Sequence, residues 1–233
     1  MLRLKSYFTI VQRDNRPITA TYRASGRQLL YDRTMLDQVL TDSLVAGPDG
    51  DGDPIREAHC AVLEMAVANS PLEMTLAALI EIVETASKTG VLGSILLLDE
   101  DGLHLRSGAA PSLPPEYSAA LDGAQIGPKA GSCGTAAFTE GPVFVTDIAT
   151  DPLWEDYRDL ALPHGLRACW SIPILTTGRK VLGTFAMYHR EPREPTVRDL
   201  ALVDLVTQTA ALVIDRKRAQ SALREIGAIA ARA

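Results

Sequence analysis

The stretch Gly127-Pro-Lys-Ala-Gly-Ser-Cys-Gly-Thr-Ala-Ala-Phe138 gathers the residue types in this sequence best suited to chemistry. Its glycines at 127, 131 and 134 admit backbone geometries that other residues resist, and they let amide groups approach a bound group closely. Ser132 and Thr135 stand near the start of an expected helix, where a hydroxyl can cap the helix or hold a ligand. Cys133 sits at the same place, and a helix N-terminus favours the thiolate that a nucleophilic cysteine needs. Two readings stay open from these residues: a tight turn leading into a capped helix, or a loop that cradles a small molecule.

Other residues carry weaker signals. Aromatic residues make up only 5% of the chain, yet Trp154, Tyr157 and Trp170 fall close together. They could form a stacking wall or lid over a pocket, or anchor a long loop on the core by apolar burial. Asp147, Asp151, Asp156 and Asp159, near Arg158 and Arg167, read as a solvated or locally ion-paired surface. Asp49-x-Asp51-x-Asp53 has the spacing that opens a calcium loop. Its sixth position is Pro54 rather than glycine and its twelfth is Cys60 rather than Glu, so a solvated linker is expected instead and no metal site is assigned.

These residues must be positioned by a regular set of elements. Ser6–Val11 and Ile18–Arg23 read as strands around a turn at 14–17, and Thr34–Ala46 as a helix. The run Gly47-Pro-Asp-Gly-Asp-Gly-Asp-Pro54 breaks the chain. Beyond it, Ile55–Asn69 is helical by its apolar spacing, and Ser70-Pro-Leu-Glu73 has the form of a capping box opening a helix to about Ser87. Strands are expected at 94–98 and 103–108 around a turn at 99–102, and at 142–146, 168–175 and 181–189, with a short helix at 114–121. Thr196-Val-Arg-Asp199 caps a last helix that runs to about Glu225, before Gly227 weakens it. The pattern predicts an α+β fold with an antiparallel sheet of about six strands and helices on one face.

Composition bounds the function. The net charge of −6 opposes a protein that grips nucleic acid across its whole surface. No apolar run approaches the roughly 20 residues that span a bilayer, and the first residues lack the pattern of a signal peptide. Three widely spaced cysteines suit a reducing cytoplasm better than a disulfide framework. The net charge is +5 over 1–33, −5 over 34–57, −9 over 58–213 and +3 over 214–233, which suggests appendages at both ends of an acidic body. The division expected is an N-terminal segment over 1–46, a linker over 47–54, a domain over 55–216 and a C-terminal helix over 217–233.

Gly131-Ser-Cys-Gly-Thr-Ala-Ala137, Pro142-Val-Phe-Val-Thr-Asp-Ile148, Leu166-Arg-Ala-Cys-Trp-Ser-Ile-Pro-Ile174 and Val181-Leu-Gly-Thr-Phe185, in that order, strongly resemble a GAF domain. More closely, the chain looks like the GAF modules of bacterial sensor histidine kinases and cyclic-di-GMP enzymes. The resemblance covers about 58–216. It implies terminal helices on one face of the sheet and a small-molecule pocket under loops and short helices on the other. The ligand-binding residues it implies are Ser132, Cys133, Thr135, Asp147, Trp154, Tyr157, His164, Cys169, Trp170 and Ser171. No particular cofactor is implied, and the ligand is unnamed.

Specialised members of the family supply further expectations. The residue set of the cyclic-nucleotide GAF domains is not found here. The Cys-His pair of bilin-binding members has only His59-Cys60, reversed and on a terminal helix. A haem-binding member needs an axial histidine, for which His104 or His164 could serve. The enzymatic alternative is free methionine-(R)-sulfoxide reductase, with Cys133 at one of its cysteine positions and Cys169 as the partner. The family's His-Ile-Ala-Cys-Asp segment is missing, and Cys169 falls on a strand, so both cysteines are read as small packing residues. The tail from Asp215 resembles the helix that leaves sensor GAF domains towards a kinase or cyclase. Val206, Ala210, Val213 and Leu223 suit a homodimer seam or packing on the sheet. A ligand-free dimerisation scaffold is the third alternative.

Overall fold

The computed structural model describes residues 54–87 and 89–230, together with the backbone of strands at 7–11, 19–24 and 27–32. These strands, β1 (Tyr7–Val11), β2 (Thr19–Ala24) and β3 (Arg27–Asp32), pair antiparallel in sequence order. The third was not expected. The helix read over 34–46 lies outside the described residues, as does the linker apart from the backbone of Pro54.

Two helices follow, α1 (Pro54–Val67) and α2 (Leu72–Ala86). The expected capping box over 70–73 does not form. Pro71 holds the N-cap position with extended backbone, which leaves Ser70 one residue outside the helix. Thr75 closes the first turn instead, its N–H and its hydroxyl both donating to Pro71 O at 3.2 Å.

The six strands β4 (Leu92–Leu98), β5 (His104–Ala109), β6 (Ala124–Gln125), β7 (Val143–Val145), β8 (Ala168–Leu175) and β9 (Val181–His189) pair antiparallel throughout, in the order β6-β5-β4-β9-β8-β7. Between them come α3 (Pro115–Leu121), α4 (Gly131–Thr139) and α5 (Arg158–Ala161), and after them α6 (Val197–Ala230). All nine residues of β9 are buried, which is why that strand reads as a continuous apolar run rather than an alternation.

The sheet divides two apolar layers. On one face Leu76, Leu79, Ile80 and Val83 of α2 and Val203, Val206, Ala210 and Ile214 of α6 cover Ile95, Phe185, Met187 and Trp170. On the other, α3, α4 and the loop from 147 to 166 cover Leu96, Cys169, Ala186 and Tyr188. The expected start of α6 is present as a reciprocal cap: Thr196 N–H donates to Asp199 Oδ2 at 2.8 Å, and Asp199 N–H donates to Thr196 Oγ1 at 3.3 Å. The helix passes through Gly227 to Ala230, further than expected. The helix-forming neighbours Leu223, Arg224, Glu225, Ala228 and Ala230 offset the roughly 1 kcal/mol that a glycine costs.

The helix-covered face also holds a buried histidine. His189 is 2% exposed, lies 4.1 Å from the Trp170 ring centroid, and has no hydrogen bond on either ring nitrogen. Burial, with the charge of Arg193 adding to it, lowers its pKa to about 4. The unfolded chain binds this proton near the ordinary 6.5 and the folded chain does not. Stability is therefore expected to be full above pH 6.5 and to fall as the pH drops from 6.5 through 4. The loss is on the order of 2–3 kcal/mol by urea denaturation, and His189→Leu should flatten that part of the profile.

Candidate functional site

On the face opposite the terminal helices, β4, β9 and β8 present three cross-strand rows. Leu92, Tyr188 and Cys169 form one, Ser94, Ala186 and Ser171 the next, and Leu96, Thr184 and Pro173 the third. The helix α4 lies over these rows, and its glycines explain how it can. Gly131 adopts a φ of 60° at the first helical position. A side chain on Gly134 would stand 2.5 Å from Ala130 Cβ and 3.2 Å from Gln125 O. Gly127 carries no such demand, since a Cβ there would meet only Ala130 Cβ at 3.9 Å.

Ser132 and Thr135 of α4 do not cap the helix. Thr135 Oγ1 accepts from Ala130 N–H at 3.2 Å, which closes the turn before the helix. Ser132 Oγ donates to Cys169 O at 3.1 Å and accepts from Trp154 Nε1 at 3.0 Å. That one buried hydroxyl joins the helix, strand β8 and the loop. Trp154 is itself buried, with Tyr157 edge-on at 6.5 Å.

Between these pieces lies a cavity of about 30 Å³, lined by Leu96, Leu105, Tyr117, Leu121, Ala124, residues 130–134, Trp154, Tyr157, Leu160 and Tyr188. None of the lining residues is charged. The volume holds on the order of one or two waters. Tyr117 and Tyr188 meet edge to face at 5.6 Å, and the Tyr117 hydroxyl has no hydrogen-bond partner.

Cys133 forms part of the wall, its sulfur 3.7 Å from the Tyr188 hydroxyl. The neighbouring Cys169, with the Tyr188 hydroxyl, outweighs burial and lowers its thiol pKa from 9.0 to about 7. Burial pushes Cys169 well above the ordinary thiol value, and the neighbouring Cys133 adds to the rise.

Of the ten residues expected to bind a ligand, Ser132, Cys133, Trp154 and Tyr157 line the cavity. Cys169 and Ser171 stand behind Cys133 on β8, and Thr135 is turned to the backbone. His164 stands edge-on to Tyr117 at 5.8 Å without reaching the cavity wall. Asp147 lies outside, where it accepts from Ala149 N–H and pairs with Arg167 at 3.1 Å, pinning the loop beside β8. Trp170 lies on the opposite face, under α6, with its indole N–H donating to Arg193 O at 3.3 Å. An odd step along β8 from Cys169 turns Trp170 away from the cavity.

The other histidines are also elsewhere. His104 pairs with Asp101 on the β4–β5 hairpin, and His59 binds Thr209 Oγ1 at 2.8 Å between α1 and α6, beside the exposed Cys60. Among the described residues no three His, Cys, Asp or Glu side chains come together as a metal site. Tyr117 and Tyr188 escaped the sequence reading. Tyr117 carried a faint signal as the large residue on the inner face of the 114–121 helix, whereas Tyr188 lies in a strand whose uniform burial hides which face each residue takes.

The chain belongs to the GAF family: the sequence model of the GAF domain matches residues 69–215. It is similar to a methyl sulfide methyltransferase-associated sensor of Methanosarcina acetivorans, with 38% identity over 164 residues, 70% of this chain and 16% of that protein. The chain thus spans about one sixth of that relative's length. Among solved structures it is similar to the GAF domain of an Acinetobacter phosphoenolpyruvate-protein phosphotransferase, at 18% identity and a TM-score of 0.56, covering 73% of this chain and 99% of that one. The free methionine-R-sulfoxide reductase of Neisseria meningitidis, solved with its substrate, shares the fold at 17% identity and a TM-score of 0.55, over 71% and 91% of the two chains. The α+β architecture with six antiparallel strands and the family both agree with the sequence reading.

Ser132→Ala tests the hydroxyl that joins helix, strand and loop. It leaves Trp154 Nε1 and Cys169 O buried without that partner, at a cost of about 1–3 kcal/mol. Chemical denaturation should report the loss, together with a red shift of tryptophan emission.

Proposed function

We propose that this chain is the sensory module of a signal-transduction protein, which binds a small molecule in the cavity beneath α4 and passes the change to α6. The observation that carries the reading is the position of the cavity. It lies on one face of the sheet whose other face carries the signalling helix. The similarity to a sensor at 38% identity supports the same reading. A link between the two faces is available in β8: Cys169 O is held by Ser132, and the next residue, Trp170, packs under Arg193, which bonds Asp199 in the first turn of α6 at 2.8 Å.

The wall chemistry favours an uncharged, largely apolar ligand with one hydrogen-bonding group, which the unpartnered Tyr117 hydroxyl would meet. A molecule larger than a few atoms requires the Trp154–Tyr157 segment to move outward. Two arrangements with different affinity for the ligand are what a sensor needs, because equal affinity shifts nothing. The same wall disfavours free methionine sulfoxide, whose ammonium and carboxylate would find no countercharge there. No sulfoxide reduction is expected in a turnover assay, and turnover that Cys133→Ser abolishes would overturn the sensor reading in favour of the enzyme.

We place the module in the cytoplasm; among the described residues no helix is long and apolar enough to cross a membrane. We assign it a homodimer through its terminal helices and an output domain such as a kinase or cyclase. The division into a segment at 1–46, a linker at 47–54 and a module at 55–216 belongs to the same proposal. Beyond the sheet, α6 exposes Leu212, Leu223, Ile226 and Ile229, and Ala219, Leu223, Ile226 and Ala230 follow the alternating four- and three-residue steps of a coiled-coil seam. Light scattering behind size exclusion should give a dimer at tens of micromolar, and Leu223→Glu with Ile226→Glu should give a monomer with an unchanged core melting temperature. In a thermal-shift screen, uncharged aromatic compounds should raise the melting temperature and Tyr117→Phe should reduce that shift. Stabilisation by charged compounds alone would sink the ligand assignment.

A further inference from the structure

The helix α6 leaves the sheet through three consecutive cations, and among the described residues none of them pairs with a carboxylate. Arg216 donates to the carbonyl of Val67, the last residue of α1, at 3.5 Å. Lys217 Nζ reaches Asn69 Oδ1 at 3.1 Å and Ser70 O at 3.5 Å, in the turn between α1 and α2. Asn69 takes a φ of 61° there, the left-handed geometry that ends a helix. Cations suit this place, because the C-terminus of a helix carries partial negative charge. Arg218 crosses instead to the sheet, where Nη2 donates to Leu98 O at 2.5 Å and to Leu182 O at 3.4 Å. From Ala219 to Ala230 every residue is exposed except the half-buried Gln220, so Arg218 is the last tie between α6 and the sheet.

The ladder itself explains why these two carbonyls meet a side chain. β4 and β9 pair from Leu92↔Tyr188 to Leu97↔Gly183, and the pairing stops there. Between β8 and β9 the register steps from Ile174↔Gly183 to Leu175↔Val181 and passes over Leu182. Leu182 is therefore a bulge residue, and a bulge leaves a residue unpaired and redirects the strand. The Arg218 guanidinium fills the end of the sheet where the two central strands part. Its hold on neutral oxygens depends on distance and aim, both of which change when either strand shifts.

The same two strands form part of the cavity wall from their other face. Leu96 lies in that wall two residues before Leu98, and Tyr188 of β9 lies there too. We propose that Arg218 is a clasp that couples the cavity wall on β4 and β9 to the exposed half of α6. While the strands keep their present separation, one guanidinium nitrogen bridges both carbonyls and holds the helix. A displacement of Leu96 that draws β4 from β9 opens the bridge and frees α6 from Arg218 onward. This route is separate from the one through Trp170 and Arg193, which reaches only the first turn of α6. It rests on the sensory reading for what starts the movement, but the clasp is tested without any ligand.

The test is hydrogen exchange read by mass spectrometry on the full chain, with all variants at one protein concentration. Arg218→Met keeps most of the side-chain length and removes the donors; it should speed exchange over residues 215–230 by about tenfold while leaving α4 unchanged. Arg218→Lys keeps a cation that donates to carbonyls and should restore part of that protection. Coupling is read by a double-mutant cycle. Leu96→Ala alters the cavity wall and should speed exchange over 219–230 in the natural chain, yet add nothing once Arg218→Met is present. Leu96→Val, a smaller cut into the same wall, serves where Leu96→Ala fails to fold. Unchanged α6 exchange in Arg218→Met overturns the clasp. So does an effect of the Leu96 change on 219–230 that is absent in the natural chain, or equal with and without Arg218→Met. Any of these results leaves the sensory reading standing on the route through Arg193, and only the ligand screen decides that reading.

Discussion

The central strands β4, β9 and β8 are covered on both faces, and the remainder of the structure answers that constraint. A strand with no exposed face is predominantly apolar, and two complete layers have to be built from the rest of the chain to cover it. Three helices make one layer, and their buried leucines, isoleucines and valines each contribute roughly 1.5–3 kcal/mol. The other layer is made from shorter pieces, two helices and a long loop. The cavity lies in that less regular layer.

Short pieces need polar links to hold their places, and Ser132 supplies the central one. Its hydroxyl spends its donor on Cys169 O and accepts from the indole of Trp154, so a helix, a strand and a loop share one atom. Asp147 and Arg167 perform a similar task at the rim of the loop. The residues that hold the site in shape are thus interleaved with those that line it, and a change in the cavity has a route to β8 through a hydrogen bond rather than through loose contact.

Much of the fold was legible in the sequence. The strand pair around 99–102, the strands at 168–175 and 181–189 and the Thr196–Asp199 cap all appeared where spacing placed them. The capping box at 70–73 did not form, because Pro71 took the cap position that Ser70 was expected to hold. The two-residue strand β6 was too short to leave a periodic signal. The site was less legible. Trp170 and Trp154 share a residue type yet face opposite layers, and Tyr117 and Tyr188 line the cavity without a local signal that marks them.

By itself the sequence determined the family, the order of the elements and the helix bearing Cys133, because local periodicity, turn residues and a run of motifs are properties of neighbours along the chain. Only the tertiary structure decided the face each β8 residue takes. It also decided that Ser132, Trp154 and the Cys169 carbonyl come together. The physical reason is that in a strand buried on both faces, apolar residues fall on the two faces alike. The direction of each side chain is then fixed by register with strands far away in sequence, and no local pattern records it.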